Sequence, residues 1–157
     1  MKKTRILTHG AIIATIYVIL TYIVNAVGLA NGVVQIRLSE ALCILPMFTF
    51  AAVPGLFVGC ILSNILTGAI LHDIVFGSIA TLLGALGTYY LGKNKYIASI
   101  FPIASNTIII PLVLKYAYGM EQSYAFMVLT VFIGELISCG IFGVLLHDIV
   151  KKSKIFK

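Results

Sequence analysis

Charge is what this chain has least of. Of its 157 residues only 10% are Asp, Glu, Lys or Arg, against about 25% in an ordinary soluble domain. So few charges cannot tile a water-facing surface, which leaves lipid or other protein as the outer environment. Cysteine is scarce too. Cys43, Cys60 and Cys139 all lie in apolar stretches; their odd number argues against a disulfide framework, no metal spacing links them, and they read as small packing residues. Catalytic signatures are missing: there is no H-E-x-x-H, no nucleophile elbow and no aspartate cluster. Gly87 to Asn94 reads G-x-x-x-x-G-K-N, but Asn94 stands where a P-loop needs Ser or Thr for magnesium, and the segment ends an apolar helix rather than following a strand. No nucleotide site is visible, and an enzyme is not expected. Any uphill movement of a solute would draw its energy from a partner or an ion gradient. No inverted repeat is evident either, which disfavours a self-sufficient secondary transporter.

What the chain has is apolar length: 61% hydrophobic residues and a mean hydropathy of +1.10. A first span is expected from Ile6 to Val24; the opening MKKTR resembles a secretory leader, but no small-x-small cleavage site follows and the run is long enough to cross a bilayer. A more polar stretch, Asn25 to Arg37, includes Asn31, Gly32 and Gln35. The apolar run from Leu38 to Leu71 is too long for one span. Pro54-Gly55 predicts a tight turn inside it, giving two short spans, Leu38–Ala52 and Gly55–Leu66. Further spans are expected from His72 to Leu91, from Ile97 to Leu114 with Pro102 and Pro111 inside, and from Ser123 to Leu146. The runs show no period-2 alternation, so helices are favoured over a lipid-facing barrel. The expected fold class is an all-α membrane protein, a single domain over residues 1–157 with six transmembrane helices.

Six spans place both termini on one side. That side collects nine of the eleven basic residues, Lys2, Lys3, Arg5, Lys93, Lys95, Lys151, Lys152, Lys154 and Lys157, and leaves Arg37 and Lys115 on the other. Basic termini can signal nucleic acid, but here they flank apolar spans, and the positive-inside rule makes the rich side cytoplasmic. Small residues form helical stripes: Gly77, Ala80, Gly84 and Gly87 in the fourth span, and the pairs Gly10/Ala14 and Ala11/Thr15 in the first. Such stripes let helices approach closely, either within this bundle or against another membrane subunit.

Ionisable and amide groups inside spans are costly unless they face a cavity or a partner, so they are the candidate site residues. Glu135 lies in the sixth span with Ser138 and Cys139 on the same face at i+3 and i+4; it is either a site carboxylate or one buried against a polar partner. Arg37 and Glu40 stand three apart at the outer mouth of the second span, as a local ion pair or as the lining of an outward pocket. Asp73, after His72, is an N-cap or a site residue. Asn64 and Asn106 lie deeper, as interhelical glue or as ligand contacts. His9, His72 and His147 sit near helix ends and read as interfacial. A cavity gathering carboxylates, amides and an arginine from different spans suits a small polar molecule with several donors and acceptors.

The stretch Gln35-Ile36-Arg37-Leu38-Ser39-Glu40-Ala41-Leu42, then Pro46, then Ala52-Val53-Pro54-Gly55-Leu56-Phe57-Val58-Gly59-Cys60, and again Asp73 to Leu82, resembles the QueT family of substrate-binding (S) components of energy-coupling factor (ECF) transporters. The resemblance implies a six-helix S-component bundle in the cell membrane that captures queuine or a related deazaguanine precursor from outside. It also implies an energising module of two ATPase subunits and a transmembrane coupling subunit, with no cofactor or metal in this chain. Docking would use small residues of the first helix, at Gly10/Ala14 or Ala11/Thr15. A guanine-like edge offers adjacent N–H donors and a carbonyl acceptor. Glu135 or Glu40 could accept from the donors, Asn64, Asn106 or Arg37 could address the acceptor side, and Asp73 could meet a cationic aminomethyl group. An S component for another vitamin or nucleobase, and an auxiliary membrane assembly protein, are the alternatives.

Overall fold

The computed structural model describes residues 3–28 and 34–153, and all regular structure in them is helical. Asn31, Gly32, Lys2, Lys154 and Lys157 lie outside the described residues. Helix α1 (Lys3–Ala26) is followed by a 3-10 helix (Leu38–Met47), then α2 (Ala52–Leu66), α3 (Leu71–Leu91) and α4 (Lys95–Tyr116). α5 (Tyr124–Glu135) continues through a π-helical stretch (Leu136–Gly143) into α6 (Val144–Ser153). Among the described residues, four continuous helices are long and apolar enough to cross a membrane: Lys3–Ala26, Leu71–Leu91, Lys95–Tyr116 and Tyr124–Ser153. The other two are short. Ten residues of 3-10 helix rise about 20 Å and fifteen of α-helix about 22 Å, against a hydrocarbon core of about 30 Å. The expected six helical segments are present, four of them of spanning length.

The break inside the long apolar run falls earlier than Pro54-Gly55. It lies at Phe48–Ala51, and Pro54 sits within the first turn of α2. The reason is local: amides of the first turn have no intrahelical partner, so proline loses nothing there. Pro46 instead stands at the far end of the 3-10 helix, which stops at Met47.

Small residues set the packing. A Cβ added to Gly55 would lie 2.6 Å from the Gly10 carbonyl oxygen, and one on Gly59 would lie 3.1 Å from the Ala14 Cα. α1 and α2 therefore run parallel at backbone contact. The expected stripe on α3 faces α4, with Gly84 against Pro102 and Gly87 against Phe101. Pro102 lies inside α4 and cannot donate to the carbonyl of Ala98, four residues back. Thr88 of α3 replaces that bond: its hydroxyl donates to the Ala98 oxygen at 3.0 Å. Asn94 caps α4, its side-chain oxygen accepting from the amides of Tyr96 and Ile97.

The core is apolar near the basic end, around Ile13, Leu42, Leu45, Val53 and Leu56. Large apolar side chains such as Ile19, Leu83, Ile108 and Leu129 face outward, while Glu40, Asn64, Asp73, Asn106 and Glu135 are buried. This inversion suits a lipid surround. The helix ends separate by charge. Lys3, Arg5, Lys93, Lys95, Lys151 and Lys152 gather at one end, where Lys95 meets Asp148 at 2.6 Å and His147 lies 3.0 Å from the same carboxylate. Arg37 and Lys115 lie at the other.

Candidate functional site

The end opposite the basic cluster opens into a cavity of about 450 Å³. Its wall comes from the C-terminal ends of α1, α2 and α4, the start of α3 and the segment entering the 3-10 helix. Arg37, Asn64 and Asp73 line it, together with Gln35, Ser39 and Tyr118. Gly68, at a left-handed φ of +75°, turns the chain out of α2 at the rim.

Arg37 does not pair with Glu40. Its guanidinium lies 4.0 Å from Asp73, and its amide donates to Ser138 at 3.1 Å. Asp73 is not the N-cap of α3, a place Ile70 holds without a side-chain bond. It sits in the first turn, where the helix dipole favours an anion. The Tyr118 hydroxyl donates to it at 3.3 Å, and the Asn64 amide to its backbone carbonyl at 3.4 Å. Burial and the facing Asp73 carboxylate push the Tyr118 hydroxyl above its ordinary pKa, so it remains a donor at neutral pH.

Beneath this mouth lies a second layer centred on Glu40, which is 1% exposed. Side chains three apart stack on one face of a 3-10 helix, so Glu40 and Cys43 share the face turned into the bundle. Glu40 has four donors within reach. Tyr17 donates to Oε1, and the Thr81 hydroxyl lies 3.4 Å from the same oxygen. Cys43 donates to Oε2 at 3.2 Å and Asn106 at 3.3 Å. Glu135 stands beside it. Cys139 donates at 3.3 Å to a Glu135 oxygen and lies as close to the Glu40 carbonyl. Donor atoms of Glu40, Glu135 and Cys139 fall within 4.8 Å of one another, a spacing a cation could use, although each is already engaged in these hydrogen bonds. The close approach depends on Gly134, where a Cβ would strike the Gln35 carbonyl at 2.2 Å.

The layers are joined. Asn64 lies 3.6 Å from the Cys60 sulfur, and Thr81 lies 3.4 Å from that sulfur and reaches Glu40. Arg37, Asn64 and Asp73 thus line the mouth, while Glu40, Asn106 and Glu135 lie outside the lining, in the buried network that Cys60 and Thr81 connect to it. The set holds three carboxylates as acceptors and one guanidinium as donor, with two amides whose NH2 groups donate within the network. Sequence reasoning missed Tyr17, Thr81, Ser39 and Tyr118. It read the cysteines as packing, whereas all three are both buried and bonded to this network. Of the first-helix residues, Gly10 and Ala14 are buried against α2, while Ala11 and Thr15 are exposed.

The sequence model of one family, described as "QueT transporter", matches residues 7–152. A curated relative, "Queuosine precursor transporter QueT" of Lactococcus lactis subsp. cremoris (strain MG1363), is 32% identical over 82 residues. That alignment covers 52% of this chain and 48% of the relative, so it spans about half of each. No solved structure matches.

Proposed function

The chain belongs to the QueT transporter family, and on that premise we propose that it is the substrate-binding component of an ECF-type importer, capturing queuine or a related deazaguanine precursor from outside the cell. The observation that carries this reading is the cavity of about 450 Å³ at the end away from the basic residues, whose lining offers the Asp73 carboxylate, the Gln35 and Asn64 amides and the Arg37 guanidinium. A deazaguanine presents several N–H donors along one edge, and buried carboxylates are strong acceptors for them. In this reading Asp73 and Asn64 meet the ligand at the mouth, Arg37 addresses its carbonyl, and Tyr118 covers the ring as the aromatic side chain of the lining. Glu40, Asn106 and Glu135 lie in the buried layer beneath, outside the cavity lining, and direct contact with them requires the ligand to enter that layer.

The same reading makes all six helical segments parts of one membrane domain, with the basic end in the cytoplasm by the positive-inside rule. ATP hydrolysis belongs to partner subunits. Docking onto the coupling subunit uses the Ala11/Thr15 face, because Gly10 and Ala14 are occupied by α2.

Titration of the detergent-purified protein with queuine, the aminomethyl-bearing precursor, guanine and a panel of vitamins, read by calorimetry and thermal shift, tests this. Deazaguanines bind and stabilise; Asp73→Asn weakens binding at least about tenfold, since a lost hydrogen bond to a charged group is worth about 1.5–3 kcal/mol, and an equal loss in Glu135→Gln would place the ligand in the second layer. Stabilisation by a vitamin alone reassigns the cargo, and no stabilisation by any small molecule leaves an assembly protein.

A further inference from the structure

A groove runs along the outside of the bundle, away from the polar cavity. α1, the 3-10 helix and the π stretch with α6 enclose a trough of about 720 Å³. Ile16 and Leu20 line one side, Phe142, Leu145 and Ile149 the other, and His9 is the sole polar residue of the lining. Leu20 and Leu38 mark one end, His9 and Val150 the other. From His9 to Leu20 the helix rises about 16 Å, which matches one leaflet of a hydrocarbon core about 30 Å thick.

Both walls continue into basic residues at the His9 end. Arg5 precedes His9 by one turn on the same face of α1, and Lys152 follows Ile149 at i+3 on α6. Among the described residues, Asp148 at this end is held by Lys95 and His147. The trough is therefore greasy for the depth of one leaflet and positive at its mouth. Phospholipid has that pattern of charge and chain, and basic pockets between helices favour anionic headgroups.

The geometry points to a binding site for one anionic phospholipid of the leaflet at the basic end, with an acyl chain in the trough and the phosphate near Arg5, His9 and Lys152. The site is independent of the substrate cavity and of what that cavity binds.

Native mass spectrometry of the full chain, with phosphatidylglycerol or phosphatidylcholine of identical acyl chains, tests it. The expected result is at least about tenfold greater retention of phosphatidylglycerol, lost in the double variant Arg5→Gln/Lys152→Gln. Ile16→Trp and Leu145→Trp, both at exposed positions that fill the trough, reduce retention without lowering the melting temperature. Inorganic phosphate at the same concentration gives no thermal shift. Equal retention of the two lipids, retention untouched by the double or the tryptophan variants, or a phosphate shift equal to the lipid's overturns the proposal. So does crosslinking in membranes from Leu145→Cys to a partner chain with no lipid retained.

Discussion

Glu40 carries the heaviest local demand in the molecule: it is a carboxylate surrounded by helices and reached by donors from four parts of the chain. Each donor matters because a buried acceptor stripped of a partner loses about 1–3 kcal/mol. Tyr17→Phe keeps the ring and removes one donor, so unfolding in detergent should show about that loss of stability. Glu40→Gln turns an acceptor into a donor facing other donors, and the loss should be larger; a Glu40→Gln variant as stable as the parent would contradict the assigned bonds. Much of this residue chemistry was legible. Arg37, Glu40, Asn64, Asp73, Asn106 and Glu135 stand out because polar groups are rare in such a chain. Their partners were not. Tyr17 and Thr81 are ordinary hydroxyl residues of apolar helices, 23 and 41 positions from Glu40, and no local pattern marks them. The thiols were half visible: Cys43 follows Glu40 by three and Cys139 follows Glu135 by four, spacings that place each beside its carboxylate.

Among the elements, two contacts decide how the helices sit. Gly55 lets α2 touch the backbone of α1, and Gly55→Val should force them apart at about 1–3 kcal/mol, the usual cost of overpacking, seen as a lower melting temperature. Thr88 repairs the bond that Pro102 takes from α4. Thr88→Val preserves shape but leaves the Ala98 carbonyl buried without it, so it should destabilise by about 1–3 kcal/mol, while Thr88→Ser should largely restore stability. The long helices and the α3 stripe were legible because apolar length and small-residue spacing are direct signals. The 3-10 geometry of Leu38–Met47 was not, since a continuous apolar run does not distinguish three residues per turn from 3.6. The turn was misplaced for a related reason: proline breaks a helix interior but is welcome in a first turn.

For the molecule as a whole, charge and cavity lie at opposite ends. If the basic end is cytoplasmic, a thiol at Lys93→Cys should react with a membrane-impermeant maleimide only after the cell is opened, and one at Met120→Cys in intact cells; the reverse pattern would invert the orientation. The native cysteines are buried and should stay silent. Ala11→Trp should impair assembly with an energising module while leaving ligand binding unchanged, because Ala11 faces outward. The end-to-end charge asymmetry was legible from span counting alone.

The arrangement around Glu40 also bears on biosynthesis. The ribosome delivers Glu40 early, yet Asn106 follows 66 residues later. An isolated carboxylate is poorly tolerated in hydrocarbon, so the early segments gain stability when the later helices join them. Tyr17 and Cys43 are made early enough to serve Glu40 first, and its full set of donors is complete only once α4 has arrived.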